Sequence, residues 1–345
     1  MPEERFPLFV DWAITAKCNL SCKHCRGMPE GKVSTQRAKK LIAEIAELKP
    51  GWVIVEGGEP LLREDIFELL GLMQQSKLET HLITNGMLLN QQILATLKQL
   101  GVKVMVSIDG ATPATYETIR NGAVFEQVVQ SAKSYAKEGL LEAINITLLK
   151  TNYTEIRGVF ELAASIGTKK VTIIGLKPCE SYTDQLLTPE EYGEAIKLAC
   201  RAAQETGVEF FFDEPFFWAV VREWGLIPQT PAVNTGILAS STTACVFGEY
   251  IFIEADGDVK PCSFAPIALG NVNEKSLVEI WDEMLSSTFL RQIKAPESRT
   301  GYCQGCRYLA DCKGCRSRTF TLTGDWFSAD PVCPLSLQLA SQKEE

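Results

Sequence analysis

Residues 16–26 read Ala16-Lys17-Cys18-Asn19-Leu20-Ser21-Cys22-Lys23-His24-Cys25-Arg26, and the rest of the chain is organised around them. Three thiols spaced C-x3-C-x2-C follow an apolar, strand-like run, so one short loop can bring all three to a metal centre. Three is the informative count. A cluster of four irons takes thiolate ligands. A loop that offers only three leaves one iron open, as a catalytic metal keeps an exchangeable position. A zinc knuckle is the competing reading; it needs a fourth ligand nearby, and the local candidate, His24, is wedged between two of the cysteines.

The length of 345 residues allows one large domain plus a smaller one. Hydrophobic residues make up 46% of the chain, which places it among globular proteins. No apolar run reaches the roughly 18 residues of a membrane span. The opening Met-Pro-Glu-Glu-Arg lacks the basic and apolar regions of a signal peptide, so a cytosolic protein without a membrane partner is expected. The formal charge of -9 argues against a nucleic-acid surface. Twelve cysteines in a reducing compartment point to metal sites rather than disulfides.

From residue 8 to about 175, short apolar runs alternate with amphipathic helical stretches. Strands are expected at 9–15, 52–55, 80–84, 102–108, 143–149 and 170–174, and helices at 35–48, 63–75, 90–100, 125–138 and 153–166. Gly101, Gly139 and Gly167 close helices. Six such units predict an α/β fold, a parallel sheet curled into a partial (β/α)6, TIM-like barrel with its chemistry at the C-terminal ends of the strands. The cysteine loop follows strand one.

Three further signals share that edge. Glu56-Gly57-Gly58-Glu59-Pro60 follows strand two, where two glycines permit close backbone approach and a carboxylate comes next; an ordinary strand-to-helix turn has the same composition. Thr84-Asn85-Gly86 is a turn after strand three. Strand four ends in Ser107-Ile108-Asp109-Gly110, whose alternation points Ser107 and Asp109 the same way; Asp109 also suits a helix N-cap. Arg120 suits a bidentate carboxylate contact or a solvated surface position.

Past residue 175 come a polar loop at 175–187, a helix at 189–205 and an aromatic-rich stretch at 210–224, read as packing that could also wall a substrate cavity with Asp213 or Glu214 as acid or base. Residues 229–243 read as linker. Cys179 and Cys200 read as buried or surface thiols. The other seven cysteines all lie from Cys245 on: Cys245 and Cys262 flank a hairpin at 250–258, Cys303, Cys306, Cys312 and Cys315 are spaced C-x2-C-x5-C-x2-C, and Cys333 stands apart. Four could make one structural zinc site, whereas iron–sulfur clusters account better for all seven.

The C-x3-C-x2-C loop with the motifs after it resembles the radical S-adenosylmethionine (SAM) enzymes, whose hallmark is C-x3-C-x-aromatic-C with His24 here in the aromatic slot. The resemblance implies that Cys18, Cys22 and Cys25 hold a [4Fe-4S] cluster whose open iron chelates SAM, and that reductive SAM cleavage yields a 5'-deoxyadenosyl radical. It also implies SAM contacts for His24, for Gly57, Gly58 and Glu59 (the amino group), for Asn85, for Ser107 and Asp109 (the ribose), and for Arg120 (the carboxylate).

The distal cysteines resemble the SPASM extension of these enzymes, which carries up to two auxiliary [4Fe-4S] clusters; the short C-x2-C at Cys312 and Cys315 departs from the C-x3-C of many members. By that resemblance Cys303, Cys306, Cys312 and Cys333 surround one cluster, closed to other ligands, and Cys245, Cys262 and Cys315 hold the other, open at one iron. The tail at 315–334 looks like that of siroheme-pathway heme synthases, heme d1 enzymes and the pyrroloquinoline-quinone peptide maturase. The implied organisation is a barrel over 1–207, a bridging segment and linker over 208–243 and a cluster domain over 244–345, with three [4Fe-4S] clusters and SAM as cofactors.

The expected activity is hydrogen abstraction from a peptide substrate in its maturation, with tetrapyrrole modification, such as propionate decarboxylation in heme or heme d1 formation, as the alternative. A non-catalytic iron–sulfur electron carrier is the alternative of another class; it would not need Gly57 to Glu59 or the Ser107 and Asp109 pair. A flavodoxin- or ferredoxin-like electron donor is an implied partner. The chain starts directly at strand one, so a peptide substrate is expected to rely on a separate leader-peptide-binding protein or on none.

Overall fold

The computed structural model describes residues 6–177, 182–226 and 245–336. Cys179 and the stretch read as linker at 229–243 lie outside the described residues. Ten strands build one sheet: β1 (Val10–Ala13), β2 (Val53–Glu56), β3 (Thr80–Thr84), β4 (Lys103–Ser107), β5 (Leu141–Leu148), β6 (Lys170–Gly175), β7 (Glu209–Asp213), β8 (Ile251–Ile253), β9 (Asp258–Lys260) and β10 (Gly270–Asn271). Their spatial order is β10-β9-β8-β1-β2-β3-β4-β5-β6-β7, and β1 to β7 run parallel in sequence order.

Helices α1 (Thr35–Leu48), α2 (Ile66–Gln75), α3 (Gln91–Gln99), α4 (Pro113–Ile119), α5 (Phe125–Lys137), α6 (Ile156–Ile166) and α7 (Pro189–Thr206) make the crossovers. Their starts follow side-chain chemistry: Ser34 accepts from Arg37 N–H, Asn90 from Ile93 N–H, and Thr188 forms a capping box with Glu191. Alternation divides each strand between two faces. Val55, Leu82, Val104 and Ile144 are fully buried in one core with helical Leu41, Leu69 and Phe160, while Ile54, Ile83, Met105, Asn145 and Thr172 line a cavity on the other face.

Two features of the sheet differ from the sequence expectation, and α4 is a helix that expectation lacked. The sheet has a seventh parallel strand, because the aromatic stretch opens with β7, whose Phe210 and Phe212 pack on Phe217 of α8 (Phe217–Glu223) at centroid distances of 5.6 and 5.2 Å. The hairpin expected near 250–258 is present as antiparallel β8 and β9, but β8 also pairs parallel with β1, Val10 opposite Ile251. The cysteine-rich region therefore extends the barrel sheet. It continues through α9 (Leu277–Ser286), α10 (Thr288–Lys294), α11 (Leu309–Cys312) and α12 (Arg316–Thr323). Among the described residues no helix is long and apolar enough to cross a membrane.

Candidate active site

The cysteine loop leaves the C-terminal end of β1 and is tied down by the ends of the next three strands. After β2, Gly58 N–H donates to Thr15 O and Glu59 N–H to Lys17 O, both at 2.8 Å. A Cβ on Gly57, whose φ is +138°, would sit 2.4 Å from Thr15 O, and one on Gly58 would sit 2.2 Å from Lys17 O. The close approach that these glycines permit is thus to the protein's own backbone at the entry of the loop. After β3, Asn85 Nδ2 donates to Asn19 Oδ1 at 2.9 Å and lies 4.0 Å from Cys18 Sγ. A two-residue antiparallel ladder sets Cys22 opposite Arg120.

The carboxylates of this edge are likewise engaged inside the protein. Glu59 is fully buried and accepts from Leu61 N–H, the Thr84 hydroxyl and Asn85 N–H. Burial holds its carboxyl above the usual carboxylate range despite those donors. Asp109, also fully buried, accepts from Arg120 Nε and Thr147 N–H, each at 2.7 Å, and lies 3.3 Å from His24 Nε2. Arg120 Nη1 in turn lies 3.9 Å from Cys22 Sγ. Asp109 and Arg120 therefore form a charge pair, and Arg120 is buried rather than solvated. Ser107 is half-buried at the end of β4. Burial pushes the Cys22 thiol up to about 11, with Arg120 opposing, so the thiolate needed for a metal bond is favoured here by cation and metal rather than by water.

Next to the loop, Arg26 links it to the cavity. Its Nη1 donates to Glu254 Oε1 at 2.7 Å, its Nη2 lies 3.4 Å from Glu56 Oε1, and its guanidinium stands 4.7 Å above the Phe252 ring. The cavity has a volume of about 260 Å³. Phe9, Trp52, Phe211, Phe247 and Tyr250 give it aromatic walls, with the cations Arg26, Lys170, Lys177 and Arg316 among its lining. Asp11 on β1 faces it with one carboxylate oxygen unpartnered, and burial, followed by Glu56, raises its pKa well above the usual value. Of the two acids considered at the end of β7, Asp213 lines the cavity beside Lys177 (3.3 Å). Glu214 does not: it is gripped bidentately by Arg318 at 2.7 and 2.8 Å, and Arg318 also binds Asp330. Sequence reading missed Asp11, Lys177 and Arg318; only the triplet His24-Cys25-Arg26 hinted at Arg26.

The seven distal cysteines fall into two sets. Cys303, Cys306, Cys312 and Cys333 surround a small apolar cavity of about 20 Å³ with Tyr302, Leu309 and Leu335. Cys245, Cys262 and Cys315 line the large cavity, and burial pushes the Cys315 thiol up to about 12. Four thiols around a small apolar space suit a fully protein-ligated cluster, and three in a cavity wall suit a cluster with one iron facing that cavity. Cys200 is buried on α7, away from both sets. Among the described residues no three Cys, His, Asp or Glu side chains are gathered at single-ion spacing.

The family models match along the same division: the radical SAM superfamily over residues 12–163 and the iron–sulfur cluster-binding (SPASM) domain over 245–307. The chain belongs to the radical SAM superfamily, as an enzyme with a C-terminal SPASM region that uses SAM and iron–sulfur clusters. It is 31% identical over 338 residues to the AdoMet-dependent heme synthase of Methanosarcina barkeri, covering 95% of this chain and 96% of that one. It is 26% identical to the mycofactocin maturase MftC of Mycobacterium ulcerans, covering 95% and 88%. Among solved structures, Streptococcus suis SuiB bound to S-adenosylmethionine has the same fold, with a TM-score of 0.75 at 17% identity, covering 95% of this chain and 77% of that one.

Proposed function

We propose that this enzyme acts on a carboxylate-bearing tetrapyrrole in the large cavity, using three [4Fe-4S] clusters: one on Cys18, Cys22 and Cys25, an open one on Cys245, Cys262 and Cys315, and a closed one on Cys303, Cys306, Cys312 and Cys333. The observation that carries the reading is the cavity itself, lined by strand side chains, three cysteines, aromatic rings and several cations. Such walls suit a flat apolar ring, and the cations suit its carboxylates. The whole-length similarity to a heme synthase supports the same choice and moves it ahead of the peptide expected from sequence.

Held by Cys18, Cys22 and Cys25 and reduced by one electron from an external donor, the cluster would supply reductive cleavage of SAM and, through it, hydrogen abstraction from the substrate. The protein's own residues do the rest. Glu59, Asn85, Asp109 and Arg120 position the cysteine loop, Gly57 and Gly58 let it pack, and His24 and Ser107 remain beside it for the nucleoside. Lys177, held by Asp213, and Arg26, held by Glu254, border the cavity where a substrate carboxylate would join those pairs, and the aromatic walls exclude water. A flavodoxin- or ferredoxin-like donor would reach the exposed Cys18 and Cys25 in a reducing cytosol.

A peptide substrate is the second reading, favoured by the maturase relative. Anaerobic titration with an iron porphyrin carrying propionates separates the two. Stoichiometric binding that accelerates 5'-deoxyadenosine formation is expected. Indifference to the porphyrin, with acceleration by a peptide, would overturn the tetrapyrrole reading.

A further inference from the structure

Two arginines are buried between the two sets of distal cysteines without a carboxylate partner. Arg299 is 2% exposed and Arg316 1% exposed, and among the described residues neither has an acidic side chain within ion-pair distance. Their donors go to neutral groups. Arg299 Nε donates to Lys313 O at 3.1 Å, and its other nitrogens to Ala295 O, Ile293 O and the Ser298 hydroxyl. Arg316 Nε donates to Gly314 O at 3.1 Å and Nη1 to Trp326 O and Ser328 O, while Nη2 is buried with no partner. Burial and the neighbouring Arg316 together pull Arg299 down to about 10.

Arg316 feels Asp330 and Asp325 only through longer-range fields; buried cations without a direct ion-pair partner are costly, and folds retain them when an anion answers them. The carbonyls they clamp, Lys313 O and Gly314 O, belong to the two-residue turn between Cys312 of one set and Cys315 of the other. Lys313 and Gly314 both have left-handed backbone, with φ of +60° and +64°, and a Cβ on Gly314 would meet Arg316 Nη2 at 2.4 Å. The fields of the two cations reach both sets: Arg316 acts on Cys245 and Cys303, and Arg299 feels Cys245, Cys303 and Cys312.

We propose that Arg299 and Arg316 are a cationic bridge between the two auxiliary clusters, each holding one carbonyl of the turn that separates them and together offsetting the clusters' negative charge. The inference rests on the cluster partition given under Proposed function. Thiolate-ligated clusters are anionic and gain a further negative charge on reduction, so nearby cations in a low-dielectric interior favour the reduced state and raise the reduction potential. Arg316, with its unpartnered nitrogen and its place in the wall of the large cavity with Cys245, Cys262 and Cys315, carries the larger share. It is a positioning and tuning residue and bonds to no iron.

The test uses the full chain with Cys18, Cys22 and Cys25 replaced by Ala, reconstituted anaerobically, so that only auxiliary clusters contribute to an EPR-monitored redox titration. Arg316→Gln is expected to keep both signals and shift their midpoints to more negative potential, with Arg316→Lys restoring most of the shift. If Arg316→Gln loses iron, Arg316→Lys must regain it with midpoints near the parent's. Unchanged midpoints at full iron content, or a Lys variant that rescues neither iron nor potential, would overturn the bridge. A parent protein with no four-iron signals would instead sink the partition beneath it.

Discussion

Arg120 Nε donates to Asp109 Oδ2 at 2.7 Å, and both side chains are buried at the end of β4 with Cys22 and His24 of the cysteine loop in reach. Two residues legible as cofactor contacts are thus a charge pair that fixes the loop on which the cofactor would sit. Removing one partner strands the other.

Arg120→Met leaves Asp109 buried without its cation, because burial lowers the pKa of His24 beside it and favours the neutral imidazole, and breaking a buried pair from one side costs about 3–5 kcal/mol. Urea unfolding should show a loss of that order, with less iron retained by the first cluster than by the auxiliary ones. A change below about 1 kcal/mol, the range of surface pairs, would mean that the pair is not structural.

Gly58→Ala places a methyl carbon 2.2 Å from Lys17 O, where backbone and not a flexible side chain must give way. A displaced loop should cost about a hundredfold in 5'-deoxyadenosine formation, the effect of misplacing a reacting group by about 1 Å. Auxiliary iron should stay at the parent level; wild-type turnover would show that the loop does not depend on this contact.

How far the sequence could be read depended on whether a signal is local. The six strands from β1 to β6 were legible because short apolar runs and helical periodicity are local properties. The seventh, Glu209–Asp213, was obscured by the continuous aromatic run around it. The pairing of Val10 with Ile251 joins segments far apart in the chain, and the local pattern of β8 is satisfied equally by a detached hairpin. Glu59, Asp109 and Arg120 have the chemistry to bind a ligand or each other, and the bonds they make among protein groups come from residues far apart in the chain, which a local sequence pattern does not show.

Arg318 is fully buried between Glu214 and Asp330, and Asp330 also accepts from Cys315 N–H at 2.9 Å. This chain of bonds ties the end of β7 to the cysteine that borders the cavity. Arg318→Lys keeps the charge but cannot form the bidentate contacts, so stability should still fall, by about 1.5–3 kcal/mol for a lost charge-assisted hydrogen bond. Denaturant midpoints measure this; a Lys variant as stable as the parent would reduce Arg318 to a point charge.

His81 on β3 has a side chain only 2% exposed, and burial, then Lys103, lowers its pKa below the usual value. The folded protein therefore keeps it neutral, while the unfolded chain protonates it near pH 6.5. Its effect on stability is nil well above that pH. As pH falls through about 6.5 the unfolded state takes up the proton first, so stability declines until the folded pKa is passed. Urea midpoints of wild type and His81→Phe, followed from about pH 8 to pH 5, should diverge in slope only in the lower part. Parallel curves would contradict a buried neutral imidazole.

The division of the distal cysteines between a four-thiol site and the wall of the large cavity is tested most directly by spectroscopy on the Cys18, Cys22 and Cys25 triple Ala variant. We expect two auxiliary [4Fe-4S] signals, of which only the one lost in Cys262→Ala shifts when a propionate-bearing porphyrin is added. A single signal, two signals that shift together, or zinc in place of iron would contradict it.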